Sequence, residues 1–308
     1  MGSKLPITLL EKDFRLPEFL RALLAELIGT AFFIFFSTAT VTSGCHTKDV
    51  ANQSGNAGDT TLTNVVPGSC FLSSTTALLN IALAFGFSLF VVIYFTASFS
   101  GGHINPAVTI AFVASNKVSV LRGACYIIMQ LGGAAVASGV LKGLDPTGFK
   151  AAAGAANQLN PSTGVAPGEG IGYEIVMSFA FIFVIFAATD STRMTSAVPL
   201  PILAPFSIGM TLFVAHLIMI PIDGCCLNPA RSFGPAVLSR TFHQYWIFWV
   251  GPIVGGLAAA IIYGLAFREF NIRKSNRNDQ ATDGDWNPVS SSPAGVDIEG
   301  GKPPTHVP

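Results

Sequence analysis

Charged residues are scarce in this sequence. Asp, Glu, Lys and Arg make up only 11% of its 308 residues, whereas a soluble domain usually has about 25%. The 17 basic residues balance the 17 acidic ones, so the chain has no excess positive charge with which to bind nucleic acid. We also find no Ser/His/Asp set, phosphate-binding loop or metal-ligand spacing. The sequence therefore predicts neither an enzyme nor a nucleic-acid-binding protein, and it implies no metal or cofactor.

Long apolar runs occur where a soluble protein would have charged residues. Half of the residues are hydrophobic and the mean hydropathy is +0.55. A helix that crosses the lipid bilayer needs about 20 mostly apolar residues, and six segments have this character: 19–40, 76–98, 122–141, 172–189, 200–220 and 245–267. Backbone groups at membrane depth must be hydrogen-bonded within their own segment, which favours helices. The sequence predicts an all-α membrane protein with six transmembrane helices.

Polar segments flank these spans at both ends of the chain. Residues 271–308 are rich in Asn, Asp, Ser, Pro and Gly and cannot bury a core, so we expect a disordered tail. Residues 1–18 form a short polar N-terminal segment, and 19–270 form the membrane domain between them. Most Lys and Arg residues lie on the side of the predicted membrane that holds both termini. The positive-inside rule therefore predicts that both termini are cytoplasmic.

The membrane domain consists of two related halves, about 19–141 and 172–267. Each half begins with a helix that carries an early glutamate, Glu26 or Glu174, and each later contains an Asn-Pro-Ala motif, Asn105-Pro106-Ala107 or Asn228-Pro229-Ala230. Three spans per half is an odd number. The second half must therefore be inserted upside down relative to the first.

Each Asn-Pro-Ala motif predicts the start of a short helix, over 108–115 and 231–239. Asn is a good N-cap, and Pro at the first helical position loses no useful amide. Neither helix can cross the bilayer, but in inverted halves the two enter from opposite faces and meet near the midplane. There each N-terminus carries about half a positive charge, and the two Asn amides can donate to a passing water. One motif alone would be a simple helix cap in a loop, whereas the pair indicates a water-filled pathway.

The stretches 100–109, 188–190 and 228–234 resemble the aquaporin, or major intrinsic protein, family. The resemblance covers about 19–270 and is strongest to the plasma-membrane intrinsic proteins of plants and green algae. It implies the aquaporin fold, with six transmembrane helices plus two half-helices in an inverted repeat. It also implies a plasma-membrane homotetramer that conducts water down osmotic gradients and excludes protons and ions. Glu26, Glu174 and His103 would then support the two loops rather than transfer protons.

The resemblance also implies a four-residue selectivity filter. Spacing from the two motifs assigns it to Phe85, His216, Cys225 and Arg231, a set similar to the water-selective type. Phe85, His216 and Cys225, taken singly, fit ordinary core packing. Arg231 does not, because an arginine at membrane depth costs ~2.5–3.5 kcal/mol and usually faces water or a functional pathway.

Other permeants and functions remain as alternatives. Glycerol-conducting relatives carry Asp directly after the filter arginine and a Pro-hydrophobe pair in the sixth span, where this chain has Ser232 and Phe248-Trp249. Hydrogen peroxide is close to water in size and hydrogen bonding, and stays a candidate. Two other functions are a gated ion or proton channel and a poorly conducting structural homologue. The swelling of proteoliposomes under an osmotic step distinguishes both from a water channel.

Four further sites are predicted outside the two motifs. Cys225 should make the channel sensitive to mercury, and the neighbouring Cys226 is the alternative thiol. Cys45 and Cys70 should form a disulfide, within one subunit or between two, and Asn52 begins a glycosylation sequon in the same loop. Ser119 lies between basic residues and resembles a phosphorylated serine of plant relatives, in which a neighbouring cytoplasmic loop, here 191–199, closes the pore. The alternative is that Ser119 is an ordinary loop serine with no role in regulation.

Overall fold

The computed structural model describes residues 15–53, 75–190 and 200–268, without the side chains of 46–53 and 200–202. Cys70, the loop 191–199, the predicted tail and most of the predicted N-terminal segment lie outside these residues, as does the side chain of Asn52. The described residues form nine α-helices and no strand. The helices are α1 Leu16–Gln53, α2 Thr75–Ser100, α3 Pro106–Ala114, α4 Val120–Leu144, α5 Pro146–Ala151, α6 Pro167–Ala188, α7 Leu200–Asp223, α8 Pro229–Ser239 and α9 Ile247–Tyr263, which continues as a π-helical turn, Gly264–Arg268.

Six of these helices are long and apolar enough to cross a membrane, namely α1, α2, α4, α6, α7 and α9 with its π-helical turn. The prediction of an all-α membrane protein with six spans is confirmed. The helix ends differ from the predicted ones, because capping interactions continue a helix beyond its apolar run. For example, α6 begins at Pro167 rather than at 172, and the Glu169 side chain accepts a hydrogen bond from the Ala166 amide at 2.9 Å.

The first helix is much longer than predicted. It continues from Leu16 to Gln53, a length of 38 residues, which corresponds to about 57 Å at 1.5 Å per residue. The hydrocarbon core of a bilayer is only about 30 Å thick. The last turns of α1 therefore extend beyond the hydrocarbon core on the side opposite the N-terminus.

Helix packing repeats in the two halves. In the first half α1 packs on α2 and α4, and in the second α6 packs on α7 and α9, while α2 and α7 join the halves. The short helices α3 and α8 cross between halves, since α3 packs mainly on α9 and α8 mainly on α4. This arrangement is the predicted inverted repeat with two half-helices.

Two glycines permit close contacts with the helices that carry the buried glutamates. A Cβ at Gly133 of α4 would overlap the carbonyl oxygen of Leu27 on α1, and a Cβ at Gly255 of α9 would overlap that of Ile175 on α6. Leu27 and Ile175 directly follow Glu26 and Glu174. These contacts therefore fix the spans that carry the two buried glutamates.

Candidate functional site

Each Asn-Pro-Ala motif begins a half-helix. Asn105 caps α3, and its Oδ1 accepts a hydrogen bond from the Ala107 amide at 2.8 Å. Asn228 caps α8 in the same way, accepting from the Ala230 amide at 2.9 Å. The helices begin at Pro106 and Pro229, two residues before the predicted starts, because proline occupies the first helical position.

The two Asn side chains also connect the two loops. Asn105 Nδ2 donates to the carbonyl of Leu227, and Asn228 Nδ2 donates to the carbonyl of Ile104, both at 2.9 Å. An amide nitrogen has two hydrogens, so each side chain keeps one for another acceptor. Both asparagines line the same cavity. A water in that cavity can therefore accept a hydrogen bond from either asparagine.

The buried glutamates bind the backbone just before each asparagine. Glu26 and Glu174 are both 0% exposed, and each carboxylate accepts two successive amides. His103 and Ile104 donate to Glu26 at 2.9 and 2.8 Å, and Cys226 and Leu227 donate to Glu174 at 2.8 and 2.9 Å. Ile104 and Leu227 have φ values of 55° and 54°, a conformation that is costly for branched side chains. The carboxylates thus hold strained loops whose carbonyls face the opposite asparagine.

Gln130 and Thr109, for which the sequence predicted no role, join Glu26 and His103 in a polar network beside the first loop. Gln130 Nε2 donates to Glu26 Oε2 at 2.8 Å and to Thr109 Oγ1 at 2.9 Å. His103 Nδ1 lies 3.0 Å from the same hydroxyl, and its ring packs on Phe112 and Tyr126. The sequence contained one indication of this network, a glutamine inside an apolar span, because a buried side-chain amide requires hydrogen-bond partners.

A cavity of about 510 Å³ extends from the asparagines to one end of the helix bundle. Its far end is lined by Ala97 and Ser98 of α2, Ala188 and Thr189 at the end of α6, and Ala204 of α7. Most of its wall is apolar. Helix α6 ends and α7 begins at this end, on the side that the sequence predicts to be cytoplasmic.

Three of the four predicted filter residues are in mutual contact. The rings of Phe85 and His216 stack with their centroids 3.9 Å apart, and Arg231 Cζ lies 5.1 Å from the Phe85 ring centroid. Arg231 is only 3% exposed, and its Nη1 donates to the carbonyl of Ala155 at 2.7 Å. Ala155 belongs to the segment between α5 and α6, for which the sequence predicted no role.

Two fully buried polar atoms of this cluster lack a partner in the described part of the chain, one a donor and the other an acceptor. Arg231 Nε and His216 Nε2 have no hydrogen-bond partner among the described residues. His216 Nδ1 lies 2.9 Å from the Leu212 carbonyl and must carry the hydrogen to donate there. In the neutral ring Nε2 is then an acceptor. The pair complements a molecule that both accepts and donates hydrogen bonds.

The two adjacent cysteines have different surroundings. Cys226 Sγ lies 3.1 Å from the Asn228 carbonyl and 3.4 Å from the Phe248 carbonyl, so its side chain faces α9. Cys225 is 0% exposed and belongs to the same apolar cluster as Phe85. Its amide donates to Asp223 Oδ1 at 2.9 Å.

The remaining predicted sites are only partly described. Ser119 is the N-cap of α4, and its Oγ accepts from the Arg122 amide at 3.2 Å. Cys45 is 6% exposed and packs with Ala152, while its predicted partner Cys70 lies outside the described residues. The backbone of Asn52 belongs to the last turn of α1, and the loop 191–199 lies outside the described residues.

Comparisons with known proteins agree with the fold. Residues 13–263 match the model of the major intrinsic protein family. The chain is 38% identical over 264 residues to the probable aquaporin PIP2-6 of Oryza sativa subsp. japonica, covering 85% of this chain and 86% of that one. It is 39% identical over 254 residues to the probable aquaporin PIP2-6 of Arabidopsis thaliana, covering 82% of each.

A solved structure shares the fold. The aquaglyceroporin from Plasmodium falciparum superposes with a TM-score of 0.66 at 20% identity, covering 83% of this chain and 99% of that chain. The family that the motifs indicated is therefore confirmed, and this chain belongs to the major intrinsic protein family.

Proposed function

We propose that this chain is a plasma-membrane water channel whose selectivity is set by Phe85, His216, Cys225 and Arg231. The main support for this proposal is the environment of Arg231. This arginine is buried at membrane depth, with Nη1 bonded to Ala155 and Nε unused. Burying a charge with an unsatisfied donor is costly, and a water passing beside it would supply the missing acceptor.

The filter favours water because it replaces the hydrogen bonds that water loses on entering. Arg231 Nε can donate to the water oxygen, and His216 Nε2 can accept one of its hydrogens. An unmade buried hydrogen bond costs about 1–3 kcal/mol, so this replacement lowers the barrier to entry. The stacked rings of Phe85 and His216 fill the volume that a three-carbon polyol would need. We therefore favour water over glycerol, and hydrogen peroxide fits the same donor and acceptor.

The asparagine pair adds exclusion of protons and cations. Each of Asn105 and Asn228 keeps one amide hydrogen after bonding the opposite loop, and these can bind the oxygen of a single water. Its own hydrogens then point away along both arms of the pore, which interrupts a chain of hydrogen-bonded waters. The N-termini of α3 and α8, each with about half a positive charge, repel a cation at the same place.

Membership of the family supports a proposal for the assembly and orientation. We propose a homotetramer with one pore per chain and with both termini in the cytoplasm. Large apolar side chains at the helix surfaces support contact with lipid or with neighbouring subunits, as at Leu20, Phe32 and Val176, which are 53%, 47% and 62% exposed. The named relatives are channels, and we propose that this chain carries out no covalent chemistry.

The filter is tested by swelling measurements on proteoliposomes under osmotic steps of an impermeant solute and of glycerol. Wild type should pass water and exclude glycerol, whereas the double variant Phe85→Ala/His216→Ala should admit glycerol, because it removes both stacked rings. Phe87→Ala is the matched control, since Phe87 lies two residues along the same helix and is 47% exposed. If wild type passes glycerol as readily as water, the proposed filter is wrong.

A further inference from the structure

The two halves differ at the residue five positions before each asparagine. In the first half this residue is Ser100, whose Oγ accepts from the Gly102 amide at 3.0 Å. In the second half it is Asp223, whose Oδ1 accepts from the Cys225 amide at 2.9 Å. The two side chains therefore perform the same task at equivalent positions of the repeat. The second half therefore uses a carboxyl group for a hydrogen bond that a neutral hydroxyl accepts in the first half.

The extra carboxyl group lies beside the glutamate of its own half. Asp223 binds the amide of Cys225 and Glu174 binds the next two amides, those of Cys226 and Leu227, so the two buried carboxyl groups lie side by side. In the first half the corresponding glutamate, Glu26, receives a third donor, the amide of Gln130, besides its two backbone amides. Asp223 takes the place of that third donor, but a carboxyl group can donate only when it carries a proton.

Burial makes two ionised carboxylates at this place unfavourable. Glu174 and Asp223 are 0% and 1% exposed, so little water screens their repulsion. Asp223 Oδ2 has no donor in the part of the chain that the structure describes. The charged and titratable groups around it are Glu174, Arg231, Cys225 and Cys226, and the nearby Asn157 amide donates to the Asp223 backbone carbonyl rather than to its carboxylate.

We propose that Asp223 is protonated and acts as a positioning residue of the selectivity filter. It donates its proton to the Glu174 carboxylate, and its other oxygen holds the amide of Cys225, whose φ is 55°. The pair shares one proton and carries one negative charge. Together Asp223 and Glu174 bind three successive amides, those of Cys225, Cys226 and Leu227. This inference rests on the proposed filter, because it assigns the device that orients the filter loop.

The proton also affects the charge balance behind the filter. A singly charged pair offsets the single positive charge of Arg231. A second carboxylate would leave an excess negative charge in the buried region, which would attract cations to the pore. The shared proton therefore helps to keep the filter region from attracting cations.

The experiment compares Asp223→Asn and Asp223→Ala with wild type in proteoliposomes. Asparagine retains both functions, since its oxygen can accept from Cys225 and its amide can donate to Glu174, whereas alanine retains neither. We expect Asp223→Ala to raise the glycerol-to-water permeability ratio roughly tenfold, the factor that corresponds to loss of the hydrogen bond that orients the Cys225 amide. Asp223→Asn should restore the ratio to within about twofold of wild type. A ratio that is unchanged in the alanine variant, or not restored by asparagine, would overturn the positioning role.

Infrared spectroscopy tests the proton separately from transport. Wild type should show the carbonyl stretch of a protonated carboxyl group, which shifts in heavy water and is lost in Asp223→Asn. Glu169→Gln is the matched control, because Glu169 is exposed and lies on the same helix as Glu174, so this band should remain. An identical band in Asp223→Asn would exclude the proposed proton. The band does not depend on what the pore conducts, so a wild type that conducts no water would refute the proposed function alone.

Discussion

At the scale of single residues, the two neighbouring cysteines of the second loop should respond differently to mercury. Cys226 Sγ is engaged with the carbonyls of Asn228 and Phe248, whereas Cys225 lies in the cluster with Phe85. A soft metal on the Cys225 thiol would obstruct the constriction. We expect mercuric chloride to lower the water permeability of wild type and of Cys226→Ser, but not of Cys225→Ser. Inhibition that persists in Cys225→Ser would move the reactive thiol elsewhere.

The residues that the sequence identified are those that belong to short local patterns. Asn105 and Asn228 are recognisable because each stands before a proline that begins a helix, and Glu26 and Glu174 because a charge inside an apolar span is unusual. Gln130 and Asp223 were missed as partners of those glutamates. Gln130 is 104 residues from Glu26 along the chain. Only the packing of α1 on α4 brings them together, and no local pattern encodes that contact.

At the scale of helices, close packing predicts opposite effects for similar Gly→Ala substitutions. Alanine normally stabilises a helix relative to glycine by about 1 kcal/mol. At Gly133 or Gly255 the added methyl would overlap a backbone oxygen of the facing span, and overpacking typically costs about 1–3 kcal/mol. We expect both variants to lower the thermal unfolding temperature in detergent. Gly139→Ala is the control, since no described atom outside its own helix lies within 4 Å of its Cβ position. Equal temperatures for all three variants would contradict the packing argument.

The N-terminus of α4 is the element at which phosphorylation would act. Ser119 caps this helix through the Arg122 amide, and its replacement by alanine should cost about 0.5–2 kcal/mol of stability. A phosphate there would add about −1.5 to −2 charges beside the positive end of the helix and Arg122, which could change the order of the adjacent cytoplasmic loops. We therefore expect Ser119→Glu and Ser119→Ala to differ in water permeability at equal membrane abundance. Equal values would leave Ser119 as a helix cap only.

At the scale of the whole molecule, the predicted disulfide would fasten the end of α1. Cys45 is buried against Ala152, close to the segment whose Ala155 carbonyl binds Arg231. A bond from Cys45 to Cys70 would therefore stabilise the surroundings of the filter. On a non-reducing gel we expect Cys45 and Cys70 to be protected from alkylation. A monomer band would indicate an intrachain bond, and a dimer band that disappears in Cys45→Ser would indicate an intersubunit one. Alkylation of both thiols without reductant would exclude either bond.

The six spans could be predicted from the sequence because the membrane requires long apolar runs, which are visible without any tertiary contact. The segment between α4 and α6 could not. It has no apolar periodicity, and its short helix α5 is held by the Asp145 cap, which accepts from the Gly148 amide at 2.8 Å. This segment contributes to the filter through one backbone carbonyl, that of Ala155. Because every residue has a backbone carbonyl, the sequence does not indicate which one binds Arg231.

The reciprocal bonds between Asn105 and the Leu227 carbonyl, and between Asn228 and the Ile104 carbonyl, also bear on biosynthesis. These partners are separated by 122 and 124 residues, so the ribosome needs roughly ten seconds to produce the second member of each pair. Until then the first half-helix has neither its partner at the midplane nor α9 to pack on. The nascent first half should accordingly depend on the translocon or a membrane chaperone, and two half-chains made separately should form a channel only when they are synthesised together.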